Sequence, residues 1–165
     1  MSLFPEDILV AADAALAGAR AKSLKIVTAE SCTGGLLAGA LTEIAGSSDV
    51  FERGYITYSN LAKAEALGVD KQLLMAAGAV SAETAAAMAE GAIQRSRAHL
   101  AVAITGVAGP GGGSPGKPVG LVHFAGLRRG GAPITIEQRF GDIGRTEVRL
   151  AAVREALNIL RALMD

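Results

Sequence analysis

A chain of 165 residues, half of them apolar and 4% aromatic, is long enough to bury one core, which small aliphatic side chains must fill. Its 16 basic and 16 acidic residues balance, without the basic excess or clustered basic stripe of a nucleic-acid binder. No stretch approaches the ~18 consecutive apolar residues that span a membrane, and the single Cys32 excludes an intramolecular disulfide framework.

The N-terminus lacks the basic start and apolar run of a signal peptide, so a reducing, cytoplasmic setting is expected. A first helix is predicted to begin at Pro5, with Glu6 and Asp7 at the positive end of its dipole. Ile8, Leu9, Ala12 and Leu16 form its buried stripe. Residues 24–29 read as a buried strand that runs into Glu30-Ser31-Cys32-Thr33-Gly34-Gly35, and 34–43 as a helix.

Residues 51–59 are β-rich; Asn60 can cap a helix that carries Lys63 and closes near Gly68. Ser81 caps an Ala-rich helix to about Arg95, and 100–105 form a second buried strand, emptying into the glycine- and proline-rich stretch 106–118. Strands over 119–127 and 134–140 form a hairpin, and Arg128-Arg129 beside its Gly/Pro turn reads as solvated. The last helix starts near Arg145 and buries Val148, Leu150, Val153, Leu157 and Leu160. This order predicts a single domain over 1–165, a three-layer α/β/α sandwich on a mixed sheet.

Two loops leave the ends of buried strands, where open α/β sheets bind ligands. In the first, Thr33, Gly34 and Gly35 let a ligand approach the backbone, and the following helix start offers N–H groups to a phosphate or a developing oxyanion. Equally, Ser31 or Thr33 could serve only as a helix cap. In the second loop, 111–117 fits part of a nucleotide phosphate-binding motif, but Pro118 stands where Ser or Thr is needed and a strand follows where a helix is required. Tyr58 and Lys63 have four residues between them, one too many for a dehydrogenase pair on one helical face. His99 and His123 have no carboxylate or Cys at ligand spacing, so no metal site and no Ser-His-Asp triad is expected. If Ser31 is a nucleophile, a desolvated lysine is the available base.

Four blocks, 29–35 (AESCTGG), 54–60 (GYITYSN) with Lys63, 78–81 (GAVS), and 105–113 (TGVAGPGGG) with 117–120 (KPVG), together resemble the CinA C-terminal domain family in order and over nearly the whole chain. The resemblance implies the three-layer fold, a stand-alone form of the domain, a homo-oligomer, no cofactor or metal, and nicotinamide-nucleotide amidohydrolase activity. Nicotinamide mononucleotide and water would give nicotinate mononucleotide and ammonia. By the same resemblance Ser31 attacks the carboxamide, with Lys63 taking its proton directly or through Tyr58. Arg145, at the head of the last helix, is expected to bind the phosphate in a two-point contact, since a cation there otherwise opposes the dipole. Thr105 and Gly106 line the pocket, and the helix start after Ser31 is assigned to the oxyanion. Cys32 is a rival nucleophile in chemical terms, with buried packing its alternative. Glu30 is expected to contact the ligand, orient Lys63 or pair with a neighbouring helix. Two other functions compete: an amidase for a different small carboxamide, and a non-catalytic accessory of DNA uptake, which the neutral charge disfavours.

Overall fold

The computed structural model describes all residues 1–165. Its elements run α1 (Glu6–Ala21), β1 (Ile26–Glu30), α2 (Leu36–Glu43), β2 (Phe51–Ile56), α3 (Asn60–Leu67), α4 (Lys71–Ala77), α5 (Ala82–Gln94), β3 (Leu100–Gly106), β4 (Leu121–Arg128), β5 (Ile134–Arg139) and α6 (Arg145–Ala162). The strands form one mixed sheet in the order β2-β1-β3-β4-β5. β2, β1 and β3 are parallel, and β4 is antiparallel to both its neighbours.

Alternation along β3 builds the three layers. Leu100, Val102 and Ile104 point into a cluster with Ile8, Leu16, Leu157 and Leu160 of α1 and α6. Ala101 and Ala103 point the other way, against Met88, Ala89 and Ala92 of α5. Small residues on that second face let helices approach closely: a Cβ on Gly91 would lie 2.0 Å from the Leu67 carbonyl oxygen. The expected α/β/α sandwich on a mixed sheet is the fold observed.

The structure corrects several details of the sequence reading. Ser59, not Asn60, caps α3, its hydroxyl accepting from the Ala62 N–H at 3.0 Å. α4 was not expected; it buries only Leu74, too little for an apolar period to show. Leu150 is half-buried rather than core. The Arg128-Arg129 pair is exposed at the turn as expected, and Arg129 in addition donates to the carbonyls of Ile93, Ser96 and Ala98, closing the end of α5. Arg128 reaches Leu163 at the end of α6.

Candidate active site

From β1 the chain first turns to β2 on one side, and later returns to β3 on the other. The connections leaving the C-terminal ends of β1 and β3 therefore diverge, toward β2 and β4, and bound a crevice. Ser31, Cys32, Tyr58, Lys63, Thr105 and Arg145 all line this cleft of about 290 Å³.

Lys63 is the largest fully buried side chain of the molecule, 1% exposed. The Thr57 N–H donates to the Glu30 carbonyl at 2.9 Å, drawing the start of α3 against the end of β1. Lys63 Nζ then lies 2.7 Å from the Thr57 carbonyl oxygen and 2.9 Å from Ser31 Oγ. Burial lowers the pKa of this amine from its ordinary value, offset in part by Cys32, and no carboxylate pairs with it. The result is a serine hydroxyl against a lysine whose burial favours the neutral amine, an arrangement that can act as a nucleophile with its base.

The Ser31 loop is held from two sides. Glu30 is fully buried, and its carboxylate accepts from the N–H groups of Leu37 and Ala38 at 2.9 and 3.0 Å and from Thr33 Oγ at 2.7 Å. Gly34 and Gly35, at φ 58° and 101°, close the turn in the left-handed region before α2 begins. On the opposite side Arg149 donates from Nε to the Cys32 carbonyl and from Nη2 to the Thr33 carbonyl, each at 3.0 Å. Within the turn the Gly34 N–H donates to the Ser31 carbonyl at 3.0 Å, and the Ser31 N–H to Ile104 at 2.9 Å. The N–H groups of Cys32 and Thr33 donate to no other group of the chain.

Several expected contacts are relocated by this geometry. Glu30 neither touches Lys63 nor faces the cleft; it caps α2. The start of α2 is accordingly occupied by Glu30, so the free donors near Ser31 belong to the turn, at Cys32 and Thr33, and not to the helix. The Thr33 side chain, Gly34 and Gly35 build the turn behind the nucleophile without lining the cleft. Tyr58 does not bridge Ser31 and Lys63, which meet directly; its hydroxyl accepts from Arg145 Nη2 at 2.8 Å. Arg145 Nη1 donates to the Gly109 carbonyl at 2.7 Å, leaving three of five guanidinium N–H donors for a ligand. Thr105 hydrogen-bonds the Ala79 carbonyl at 2.8 Å and so brings Ala79 and Val80 to the wall.

Cys32 is 5% exposed, and burial pushes its thiol up to about 11, a poor setting for a thiolate nucleophile. His99 accepts from the Lys25 N–H at 2.9 Å, a structural bond far along β3 from the cleft. No three His, Cys, Asp or Glu side chains cluster as a metal would require. No helix is long and apolar enough to cross a membrane. Sequence reasoning missed Asn60, Val80 and Gly109 as cleft residues, and Arg149 as the brace of the Ser31 turn. The signal for Arg149 was its place four residues after Arg145, on the same face of α6.

Comparison with known proteins follows the same site-bearing core. The CinA C-terminal domain family model matches residues 10–164. The nicotinamide-nucleotide amidohydrolase PncC of Escherichia coli (strain K12) is 49% identical over 142 residues, covering 86% of this chain and 85% of that protein. A CinA-like protein of Synechococcus sp. (strain RCC307) is 52% identical over 143 residues, or 86% of this chain, which spans only about a third (34%) of that longer relative. Among solved structures, the competence/damage inducible protein CihA from Agrobacterium tumefaciens superposes with a TM-score of 0.98 at 58% identity, covering all of both chains. A CinA superfamily protein from Escherichia coli gives 0.90 at 38% identity, covering 99% of this chain and 94% of that one.

Proposed function

The chain belongs to the CinA C-terminal domain family, and from that premise we propose that it hydrolyses the carboxamide of nicotinamide mononucleotide to nicotinate mononucleotide and ammonia. The observation that carries this reading is the buried Lys63 amine 2.9 Å from Ser31 Oγ, at the mouth-facing end of β1. The likeness to the named amidohydrolase over 85% of its length supports the substrate.

Neutral Lys63 takes the Ser31 proton as Oγ bonds the carboxamide carbon, and the carbonyl oxygen becomes an oxyanion facing the free N–H of Cys32. Lys63 then hands its proton to the amide nitrogen, the C–N bond breaks and ammonia leaves. Water next gives a proton to Lys63 and attacks the Ser31 ester. The C–O bond to Ser31 breaks, the proton returns to Oγ, and the carboxylic acid departs. Arg145, tied to Gly109 and Tyr58 with donors to spare, binds the phosphate, and Tyr58 serves as its support rather than as a proton carrier. The reading also carries a cytoplasmic homo-oligomer, for which exposed Ile56, Leu61 and Met75 near the cleft mouth offer apolar surface.

The deciding experiment incubates nicotinamide mononucleotide with the purified protein and with Ser31→Ala, without added metal, and follows ammonia and nicotinate mononucleotide. Release by wild type that vanishes in the variant supports both substrate and nucleophile. Release that persists in the variant removes Ser31 from the chemistry. A folded wild-type protein that releases nothing overturns the substrate and turns the search to other small carboxamides.

A further inference from the structure

We infer that Arg149, which does not line the cleft, is a positioning residue that sets the oxyanion donor at the cleft, the Cys32 N–H, by gripping the turn that carries it. The three peptide carbonyls that follow the nucleophile are all committed. The Ser31 carbonyl accepts from Gly34 N–H at 3.0 Å, and those of Cys32 and Thr33 accept from the two arms of the Arg149 fork, each at 3.0 Å. A trans peptide is planar, with its N–H and C=O on opposite sides. Fixing the Ser31 carbonyl therefore aims the Cys32 N–H, and fixing the Cys32 carbonyl aims the Thr33 N–H. With Gly35 N–H they are the main-chain donors of the turn left without an acceptor in the chain, and of these residues only Cys32 lines the cleft, Thr33 being fully buried.

The guanidinium does more than hold direction. A carbonyl that accepts from a cation is polarised, and the N–H of the same peptide becomes a stronger donor. Arg149 reaches the turn from α6, while Glu30 holds it from the α2 side through Thr33 Oγ, Leu37 and Ala38. The turn is thus gripped between a buried carboxylate and a cation, and through the Thr33 carbonyl, the Gly34 N–H and the Ser31 carbonyl the grip ends on the Cys32 N–H, free at the cleft to respond to a developing charge. Gly34 fits this packing: a Cβ there would stand 3.3 Å from Arg149 Nη2, in a residue already at φ 58°. Lysine cannot reproduce the brace, since its single nitrogen does not span two successive carbonyls with fork geometry.

The inference rests on the amidohydrolase reading and is tested by steady-state kinetics on nicotinamide mononucleotide with wild type, Arg149→Met and Arg149→Lys, beside thermal unfolding of each. The expected result is kcat lowered at least about 10-fold in the Met variant, with the roughly 100- to 1,000-fold cost of losing an oxyanion donor outright as the ceiling, and KM within about threefold because no ground-state contact is removed. The Lys variant should recover part of kcat at most. A folded Met variant with kcat within twofold of wild type overturns the role, as does a KM rise that accounts for the whole loss. If the Met variant does not fold, the Lys variant is judged by the same split. Absence of wild-type turnover defeats the proposed function and this inference with it, whereas wild-type turnover with an indifferent Arg149 defeats this inference alone.

Discussion

The loops that leave β1 and β3 meet at one cleft yet are built in opposite ways. Residues 31–35 are held from several sides: Glu30 below, Arg149 above, Ile104 across the sheet. Residues 110–116 stand exposed, and the loop is tied chiefly at its ends, where Val107 and Gly120 bond across the β3–β4 pair and Lys117 Nζ reaches the Ala77 carbonyl at 2.7 Å. The difference follows from what each must do. A nucleophile has to be held within about half an ångström of productive geometry, while a ligand wall needs only accessible backbone and a guanidinium nearby. Changes to the first loop and its supports should therefore fall on kcat, and changes to the second side on KM.

The largest effects belong to the first loop. Ser31→Ala should lower kcat by about four orders of magnitude or more, and Lys63→Met by about three, in the ammonia-release assay. Turnover that survives either substitution would break the comparison at its root. The pH dependence carries a sign: the proposed mechanism uses Lys63 as the neutral amine, so kcat/KM should rise with pH through a pKa that burial holds below the ordinary 10.5. Stability runs the same way. Between the lowered folded pKa and the ordinary unfolded one the unfolded chain binds more protons, so stability rises with pH across that window. Below it the cost of burying the ammonium is fully present. Lys63→Met should accordingly be inactive yet raise Tm at neutral pH, with the gain shrinking as pH nears 10.5; a lower Tm in the variant would show the amine to be held by its hydrogen bonds more than it is penalised by burial.

Much of this arrangement is legible in the residues, and the illegible parts share a cause. The buried runs before Ser31 and Gly106 mark β1 and β3, and strand ends mark the cleft, because burial on both faces leaves a continuous apolar signature. Partners 32 residues apart are another matter: that Lys63 meets Ser31 directly depends on Thr57 bonding Glu30, which no spacing reveals. Glu30 stays open in the sequence for a simpler reason, and of its three expected roles the pairing with a neighbouring helix is the one observed. It adjoins Ser31 in the chain, but successive side chains at a strand end point to opposite sides, so the carboxylate goes under α2 while the hydroxyl faces the cleft. Tyr58 is a relay only by the family resemblance; its contact with Arg145 comes from α6, 87 residues away.

Arg145 sharpens the second half of the comparison. Arg145→Met should raise KM for nicotinamide mononucleotide about 10- to 100-fold, as expected for a lost charge-assisted contact, with kcat within about threefold. Nicotinamide riboside, the same carboxamide without the phosphate, supplies the control: its KM should be high with wild type and insensitive to the substitution. Equal effects on both compounds would place Arg145 in the wall of the cleft, holding Gly109 and Tyr58, with no hand on the phosphate.

The smallest effect is expected from the thiol beside the nucleophile. Cys32→Ala removes a side chain that is 5% exposed and whose thiol burial pushes up to about 11, while leaving its main-chain N–H in the turn. Loss of the sulfur should cost about 1–2 kcal/mol of stability through lost packing, read as a lower Tm, with kcat/KM within about tenfold of wild type. A fall comparable to that of Ser31→Ala, in a variant that still folds, would transfer the nucleophile to the sulfur. The two adjacent side chains would then have exchanged roles, with Ser31 reduced to a partner of Lys63. The direct 2.9 Å contact between Lys63 and Ser31, and the absence of any hydrogen bond between Lys63 and the thiol, argue for the small effect.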